Sequence, residues 1–282
     1  MPELLTPEDC VAQAYLSPLR SCRPLQQGLS HRSFQLILTD GTTRYLRIDR
    51  PQSKPWVDRQ HEHACLVAAS EQGLTPELYY VDQQQRFFLS EYVTEQPALQ
   101  PSVQQLIELT QGVATLPVCR TMDQQQRLAV YKTQARKAIS QRIGAQLAGL
   151  QVEFEQIVEL GEQALAQLSR YCWPVIPSFL DWHRGNVLMT PERAYLVDFE
   201  YLALSEMPLE LASLQRSGLV SASDWPELKA SFEQRYGASV TKAQLDQACC
   251  LYRVMCYCWY WAVMPSEAAE PTRALVRQLL PK

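Results

Sequence analysis

The segment from 181 to 198 constrains this chain more than any other. Asparagine occurs once in 282 residues, at Asn186, closing the run Asp181-Trp182-His183-Arg184-Gly185-Asn186. Two short apolar runs follow, Val187-Leu188-Met189 and Tyr195-Leu196-Val197, separated by the turn-forming Thr190-Pro191-Glu192-Arg193-Ala194. That pattern predicts a β-hairpin. With the register centred on Glu192, Met189 faces Tyr195, Val187 faces Val197, and Asn186 falls opposite Asp198, with Cβ atoms about 4.5–5.5 Å apart as in any cross-strand pair. Period-two alternation then puts Glu200 on the face of Asp198 if the chain stays extended.

A carboxamide oxygen and a carboxylate so disposed suit Mg²⁺, which prefers oxygen ligands and takes only one or two carboxylates from protein. Asn186 and Asp198 are the expected metal ligands, and Glu200 a second ligand or a substrate contact. Asp181, on a loop five residues before Asn186, is placed to accept a proton from a substrate hydroxyl. Asp and Asn also flank turns for backbone reasons alone, and their spacing recurs by chance. The hairpin and its terminal Asp give the spacing its weight.

The chain is long enough for a substantial core. A net charge of −4 and a pI near 5.7 give no broad electrostatic reason to bind nucleic acid or an anionic membrane, which favours a small-molecule partner. Met1–Leu5 has neither the basic start nor the apolar stretch of a secretory signal. The apolar run from Ala248 to Met264 carries Arg253 and is too short to span a bilayer, so a buried helix is expected. The nine cysteines show no Cys-x-x-Cys spacing, which points to reduced thiols in a cytoplasmic, soluble protein.

Phe179-Leu180-Asp181-Trp182-His183-Arg184-Gly185-Asn186-Val187-Leu188, followed by Leu196-Val197-Asp198-Phe199-Glu200-Tyr201, resembles the core of the aminoglycoside phosphotransferase and choline kinase superfamily, which includes bacterial thiamine kinases. The usual form is His-Gly-Asp-x-His-x-Gly-Asn, then Ile-Asp-Trp-Glu. Pro208-Leu209-Glu210-Leu211-Ala212 resembles the family's Asp-Leu-Ala segment, with Glu210 for the common Asp. The resemblance implies an α+β, bilobal, protein-kinase-like fold. Residues 1–93 would form a small antiparallel-sheet, nucleotide-binding lobe ending at a hinge, and residues 94–282 a larger, mainly helical catalytic lobe. Phe179 and Leu180 depart from the family's His-Gly; an aromatic ring keeps the packing role of that His and loses its polar contact.

Asp40-Gly41, between Phe34–Leu38 and Arg44–Ile48, predicts a hairpin. Before it, Gln27-Gly28-Leu29-Ser30-His31-Arg32-Ser33-Phe34 resembles the family's phosphate-binding loop, with Gly28 allowing close approach and Ser30 and nearby amides donating. An ordinary loop entering a hairpin has the same look. Tyr45, Arg47 and Asp49 share one strand face. Arg47 stands where protein kinases carry a phosphate-binding Lys, and a guanidinium neutralises phosphate bidentately; Arg44 and Arg50 are its rivals. A helix from about Val57 to Glu71 offers Glu62 to orient that residue. Strands near Leu78–Val81 and Phe87–Ser90 lead to Glu91-Tyr92-Val93, which resembles the hinge whose backbone binds adenine.

Helical patterns dominate from Val103 to Tyr171, interrupted at Leu116-Pro117-Val118, and again from about Trp225. Trp182 follows the expected base, and aromatics gather up to Trp261. Aromatic faces attract a quaternary or thiazolium cation by about 0.5–2 kcal/mol each, although such rings more often pack a core. Trp182, Trp261 and Glu200 are the expected substrate contacts. The expectation is an ATP- and Mg²⁺-dependent phosphotransferase for choline, ethanolamine or thiamine, with sugar and aminoglycoside kinases open. The altered loop and Phe179 motivate a second reading, a pseudokinase or binding module.

Overall fold

The computed structural model describes residues 5–25, 30–50, 57–141, 147–263 and 274. The chain packs as two compact units, one of residues 1–120 with 181–202 and one of residues 121–180 with 203–282.

The first unit contains α1 (Pro7–Gln13), β1 (Leu19–Pro24), β2 (His31–Leu38), β3 (Thr43–Asp49), α2 (Arg59–Glu71), β4 (Leu78–Val81), β5 (Phe87–Glu91) and α3 (Val103–Ala114). Its strands make one antiparallel sheet in the order β1-β2-β3-β5-β4. Gly41 takes φ +87° in the expected turn between β2 and β3, a conformation open to a residue without Cβ. Phe34, Leu36, Leu38, Leu46, Ile48, Phe87 and Leu89 alternate along their strands and collect with Cys10 and Val11 of α1 in one apolar core. Each such burial contributes about 1.5–3 kcal/mol. Arg47 points to the other face, yet it is only 2 % exposed. The helix on that side starts at Arg59 because the Asp58 side chain caps it, accepting from His61 N at 3.1 Å.

The same unit holds the second hairpin, β7 (Val187–Met189) and β8 (Ala194–Leu196), entered through a 3-10 turn at Arg184–Asn186. Its register differs from expectation by one residue: Val187 pairs with Leu196, Leu188 with Tyr195 and Met189 with Ala194. The reason is the turn. Thr190 N donates to Arg193 O at 2.9 Å, and Thr190 Oγ1 accepts from Glu192 N and Arg193 N, leaving Pro191 and Glu192 as a two-residue loop. Asn186 therefore faces Val197, whose amide donates to Asn186 O at 3.0 Å, and Asp198 lies beyond the ladder.

The second unit contains α4 (Gln124–Ser140), α5 (Leu147–Leu168), β6 (Val175–Ser178), β9 (Ala203–Glu206), α6 (Met207–Arg216), α7 (Trp225–Tyr236) and α8 (Lys242–Val263). Helix α8 packs against α4, α5 and α6. Its buried Ala248, Leu251, Val254, Met255, Cys258 and Trp261 recur at helical spacing, as expected for the apolar run. No helix among the described residues is long and apolar enough to cross a membrane.

A Cβ on Gly161 of α5 would stand 2.6 Å from Val254 Cγ1 and 3.0 Å from Val254 Cβ. Alanine gains about 1 kcal/mol of helix propensity over glycine, but forcing apart a packed contact with a stiff β-branched side chain costs about 1–3 kcal/mol. Gly161→Ala should therefore lower the thermal midpoint and should do less harm in a Val254→Ala background. A double-mutant cycle by thermal denaturation checks this; independent effects would mean that the helices do not meet there.

Candidate functional site

The loop leading into Asp181 is built on a carboxylate. Glu210 of α6 is 1 % exposed. Its Oε1 accepts from Phe179 N at 3.0 Å and its Oε2 from Leu180 N at 2.9 Å. Tyr252 Oη donates to Leu180 O at 3.3 Å. Leu180 has φ +61°, the left-handed region. Glycine, the family's residue here, occupies that region freely, whereas an L side chain costs about 1–2 kcal/mol. Phe179, fully enclosed, and Leu180, 2 % exposed, recover part of this through burial.

Asn186 then fixes Asp181. Its Nδ2 donates to Asp181 O at 3.1 Å and to Asp181 Oδ2 at 2.8 Å. Both partners are acceptors, so the amide nitrogen must face them and Oδ1 stays free to accept. His183 Nδ1 accepts from Gly185 N at 3.0 Å, which leaves the ring proton on Nε2, 3.6 Å from Asp181 Oδ2. Burial opposes the charged ring, but Asp181 and then Asp198 outweigh it and hold His183 above its ordinary value. Asp181 remains 26 % exposed and open to a reactant.

Asp198 reaches the site by backbone conformation. Its φ of +66° breaks strand alternation, and Phe199–Leu202 closes a turn through Leu202 N donating to Phe199 O at 3.1 Å. Glu200 therefore arrives through a turn, and the expectation that it follows Asp198 along an extended strand is corrected. Arg47 Nη1 lies 3.3 Å from Asp198 Oδ1. Behind it is a closed ring of alternating charge. Arg47 meets Glu62 Oε1 at 2.6 Å and Asp49 Oδ1 at 2.9 Å, and Arg59 meets Glu62 Oε2 at 2.5 Å and Asp49 Oδ1 at 3.4 Å. His63 Nε2 stands 3.2 Å from Asp49 Oδ2. Arg59 Nη2 donates to Ser30 O at 3.2 Å, and its Nη1 is 3.9 Å from Glu200 Oε2.

The protonation of the cluster follows from this arrangement. Burial disfavours a charged Arg47, but Asp49, Glu62 and Asp198 hold it well above the ordinary value. Burial raises Asp49, and Arg47, His63 and Arg59 more than reverse it, to about 2. Burial pushes Asp198 up, opposed by Arg47 and aided by Asp181. Burial, then Asp198 and Glu62, pushes Glu200 up to about 8. Two guanidinium groups face four carboxyls, those of Asp49, Glu62, Asp198 and Glu200, and the buried Glu200 Oε2 has no hydrogen-bond donor.

Ser30, Arg47, Glu62, Asp198 and Glu200 thus come together, as do Asp181 and Asn186. Gly28 lies outside the described residues. Of the rivals to Arg47, Arg44 lies over the Tyr79 ring at 3.9 Å and Arg50 Nε donates to His31 O at 3.4 Å. Glu91 is exposed at the end of β5, its amide donating to Glu77 O at 2.8 Å, and Val93 is half-buried. Trp182 and Trp261 are each 2 % exposed, with Trp261 edge-on to Tyr257 at 6.4 Å, so neither ring offers an open face. Sequence reasoning gave no site role to Arg59, although its spacing of three from Glu62 on a helix was a usable signal.

Removing the Glu210 carboxylate strands two buried amides, each worth about 1–3 kcal/mol. Glu210→Ala should lose about 2–4 kcal/mol in urea denaturation, and a loss under about 0.5 kcal/mol would show that the loop does not rest on it. Native Glu200 keeps its proton to about 8, while its ordinary value is 4.5. Between these values the native state binds more protons than the unfolded chain, so stability falls as pH rises through the window. Glu200→Gln removes that slope. Denaturant midpoints at about pH 5 and about pH 8, without added metal, should diverge for the wild type more than for the variant, and equal slopes would mean that the carboxyl is already ionised.

The profile of the phosphotransferase enzyme family, APH, matches residues 21–248. No curated protein sequence matches the chain significantly. Among solved structures the chain is similar to the choline kinase LicA from Streptococcus pneumoniae, with a TM-score of 0.72 at 14% identity over 95% of this chain and 97% of that one; LicA is also solved in complex with AMP. It is similar to a choline/ethanolamine kinase family protein from Mesorhizobium loti, with a TM-score of 0.67 at 19% identity over 93% and 88%. A third is the macrolide 2′-phosphotransferase MphH from Brachybacterium faecium, with a TM-score of 0.62 at 13% identity over 98% and 97%. The expected α+β, bilobal kinase-like fold is the one these structures share. With its profile match spanning most of the sequence, this chain belongs to the APH phosphotransferase enzyme family.

Proposed function

We propose that this protein is an ATP-dependent kinase that phosphorylates the hydroxyl of a small cationic metabolite, of the class of choline, ethanolamine or thiamine. The observation that carries the reading is the 2.8 Å bond from Asn186 Nδ2 to Asp181 Oδ2, with Asp198 held 3.3 Å from Arg47 along the same short segment. Asp181 accepts the proton of the acceptor hydroxyl as that oxygen attacks the γ-phosphorus; the bond from phosphorus to the bridging oxygen breaks and ADP leaves. Asn186 keeps the carboxylate turned toward the reactant. Arg47, braced by Glu62, meets the nucleotide phosphates, with Ser30 just before β2. The backbone around Glu91 and Val93 serves adenine, so residues 1–93 act as the nucleotide lobe and 94–282 as the catalytic and substrate lobe.

The residues fit Mg²⁺. Asn186 has its carbonyl oxygen free, and Asp198 is a carboxyl that burial pushes up, with Arg47 opposing and Asp181 aiding. Bound there, Mg²⁺ would neutralise charge on the phosphates. AMP in the LicA structure supports nucleotide binding.

On the substrate side the similar proteins include kinases of choline and ethanolamine and a macrolide phosphotransferase, which supports a small-molecule acceptor. Glu200 is the acidic group assigned to that side. Trp182 and Trp261, both buried, are not assigned to ligand stacking. Nine free cysteines suit a reducing, cytoplasmic location.

A phosphorylation screen with Mg²⁺–ATP over choline, ethanolamine, thiamine, sugars and aminoglycosides tests the reading. Asp181→Asn should cut turnover of the accepted substrate by about 10²–10⁴-fold and leave nucleotide affinity unchanged. Full activity in that variant removes Asp181 from the mechanism. Nucleotide binding with no product from any acceptor turns the reading to a binding module.

A further inference from the structure

A single ion pair between Arg47 and Glu62 would suffice to brace a phosphate-binding guanidinium. This chain has a second pair, and the need for it is visible in the strand. Asp49 sits two residues after Arg47 on the same face of β3 and takes Arg47 Nε at 2.9 Å. Alone, Arg47 would be divided among Asp49, Glu62 and Asp198, at 2.9, 2.6 and 3.3 Å. An extra uncompensated carboxylate at that range is a strong competitor for any phosphate.

Arg59 answers that competition. Its Nη1 meets Glu62 Oε2 at 2.5 Å and Asp49 Oδ1 at 3.4 Å, so each ring acid is shared between two arginines. Its Nη2 donates to Ser30 O at 3.2 Å, an oxygen that also accepts Arg50 N at 2.8 Å. One guanidinium, 7 % exposed, therefore touches the end of the loop before β2, the acid of α2, the acid of β3 and the segment after Asp198.

We infer that Arg59 is a positioning residue for nucleotide binding, sharing Asp49 and Glu62 with Arg47 and tying down Ser30 so that less of the Arg47 charge is neutralised within the cluster. The inference rests on the kinase reading given above and adds a residue to it. Its signature is charge balance rather than bulk.

The test measures Mg²⁺–ATP affinity by calorimetry, with kcat and KM in the substrate assay and a thermal midpoint for each variant. Arg59→Gln should raise Kd and KM for ATP about tenfold, a change of about 1.4 kcal/mol, with a smaller effect on kcat. Adding Asp49→Asn removes one charge of each sign and should return affinity to within about threefold of wild type. Wild-type affinity in Arg59→Gln, or a double variant no better than the single, overturns the inference, because a purely structural arginine would lower stability without this pattern. Should Arg59→Gln not fold, Arg59→Lys keeps the charge but not the fork and should bind Mg²⁺–ATP within about threefold of wild type; a tenfold loss in a folded Arg59→Lys overturns the inference. A wild type that does not bind Mg²⁺–ATP overturns the kinase reading itself, a result distinct from any of these.

Discussion

A guanidinium held at 2 % exposure on the inner face of a small sheet is the constraint on which the first unit is organised. Taking that charge out of water costs several kcal/mol unless carboxylates meet it at short range. Asp49 comes from the same strand, Glu62 from the helix laid over that face, and Asp198 from the segment after the second hairpin. Strand β3, helix α2 and the 181–202 segment are thereby held to one electrostatic centre. The apolar core on the opposite face, from Phe34 to Leu89, fixes the sheet from behind. Neither face alone explains why the sequence places Asp49, Arg59 and Glu62 so close together.

Two residues at the edges of the catalytic segment are held in backbone conformations that L side chains avoid, Leu180 at φ +61° and Asp198 at φ +66°. Each costs about 1–3 kcal/mol. At Leu180 the compensation is visible: a buried carboxylate accepts two consecutive amides, and a tyrosine hydroxyl donates to the carbonyl. The replacement of the family's His-Gly by Phe-Leu thus leaves the loop held by Glu210. At Asp198 the left-handed turn does what a longer strand could not, sending the carboxylate toward Arg47 from outside the ladder.

Elements with strong local signals were legible in the sequence. The Asp-Gly hairpin, α2 with its buried Glu62, Leu66 and Ala69, and the long apolar α8 each carry their periodicity within one stretch. Elements that exist only through distant pairing were not. β6 and β9 are four residues each, one containing Pro177, and they become strands because Val175–Ser178 meets Ala203–Glu206. α6, whose start has no side-chain cap, lay within a segment quoted only for its family resemblance. The second hairpin was foreseen, but its register was not, because one residue in the turn changes every pairing and Thr190 bonding decides between adjacent choices.

At the site, the sequence alone determined which groups are available: one asparagine, two aspartates flanking a hairpin, an arginine and an acid two residues apart on one strand face. Those follow from composition and from the period of two, which need no partner. Tertiary structure decided how the charges are shared. That Arg47 serves three acids, that Arg59 divides two of them with it, and that Glu210 holds the loop before Asp181 depend on groups up to 151 residues apart meeting at low exposure. Charge interactions become strong only where water is excluded, and the exclusion of water is a property of the packed molecule, which no local stretch of sequence displays.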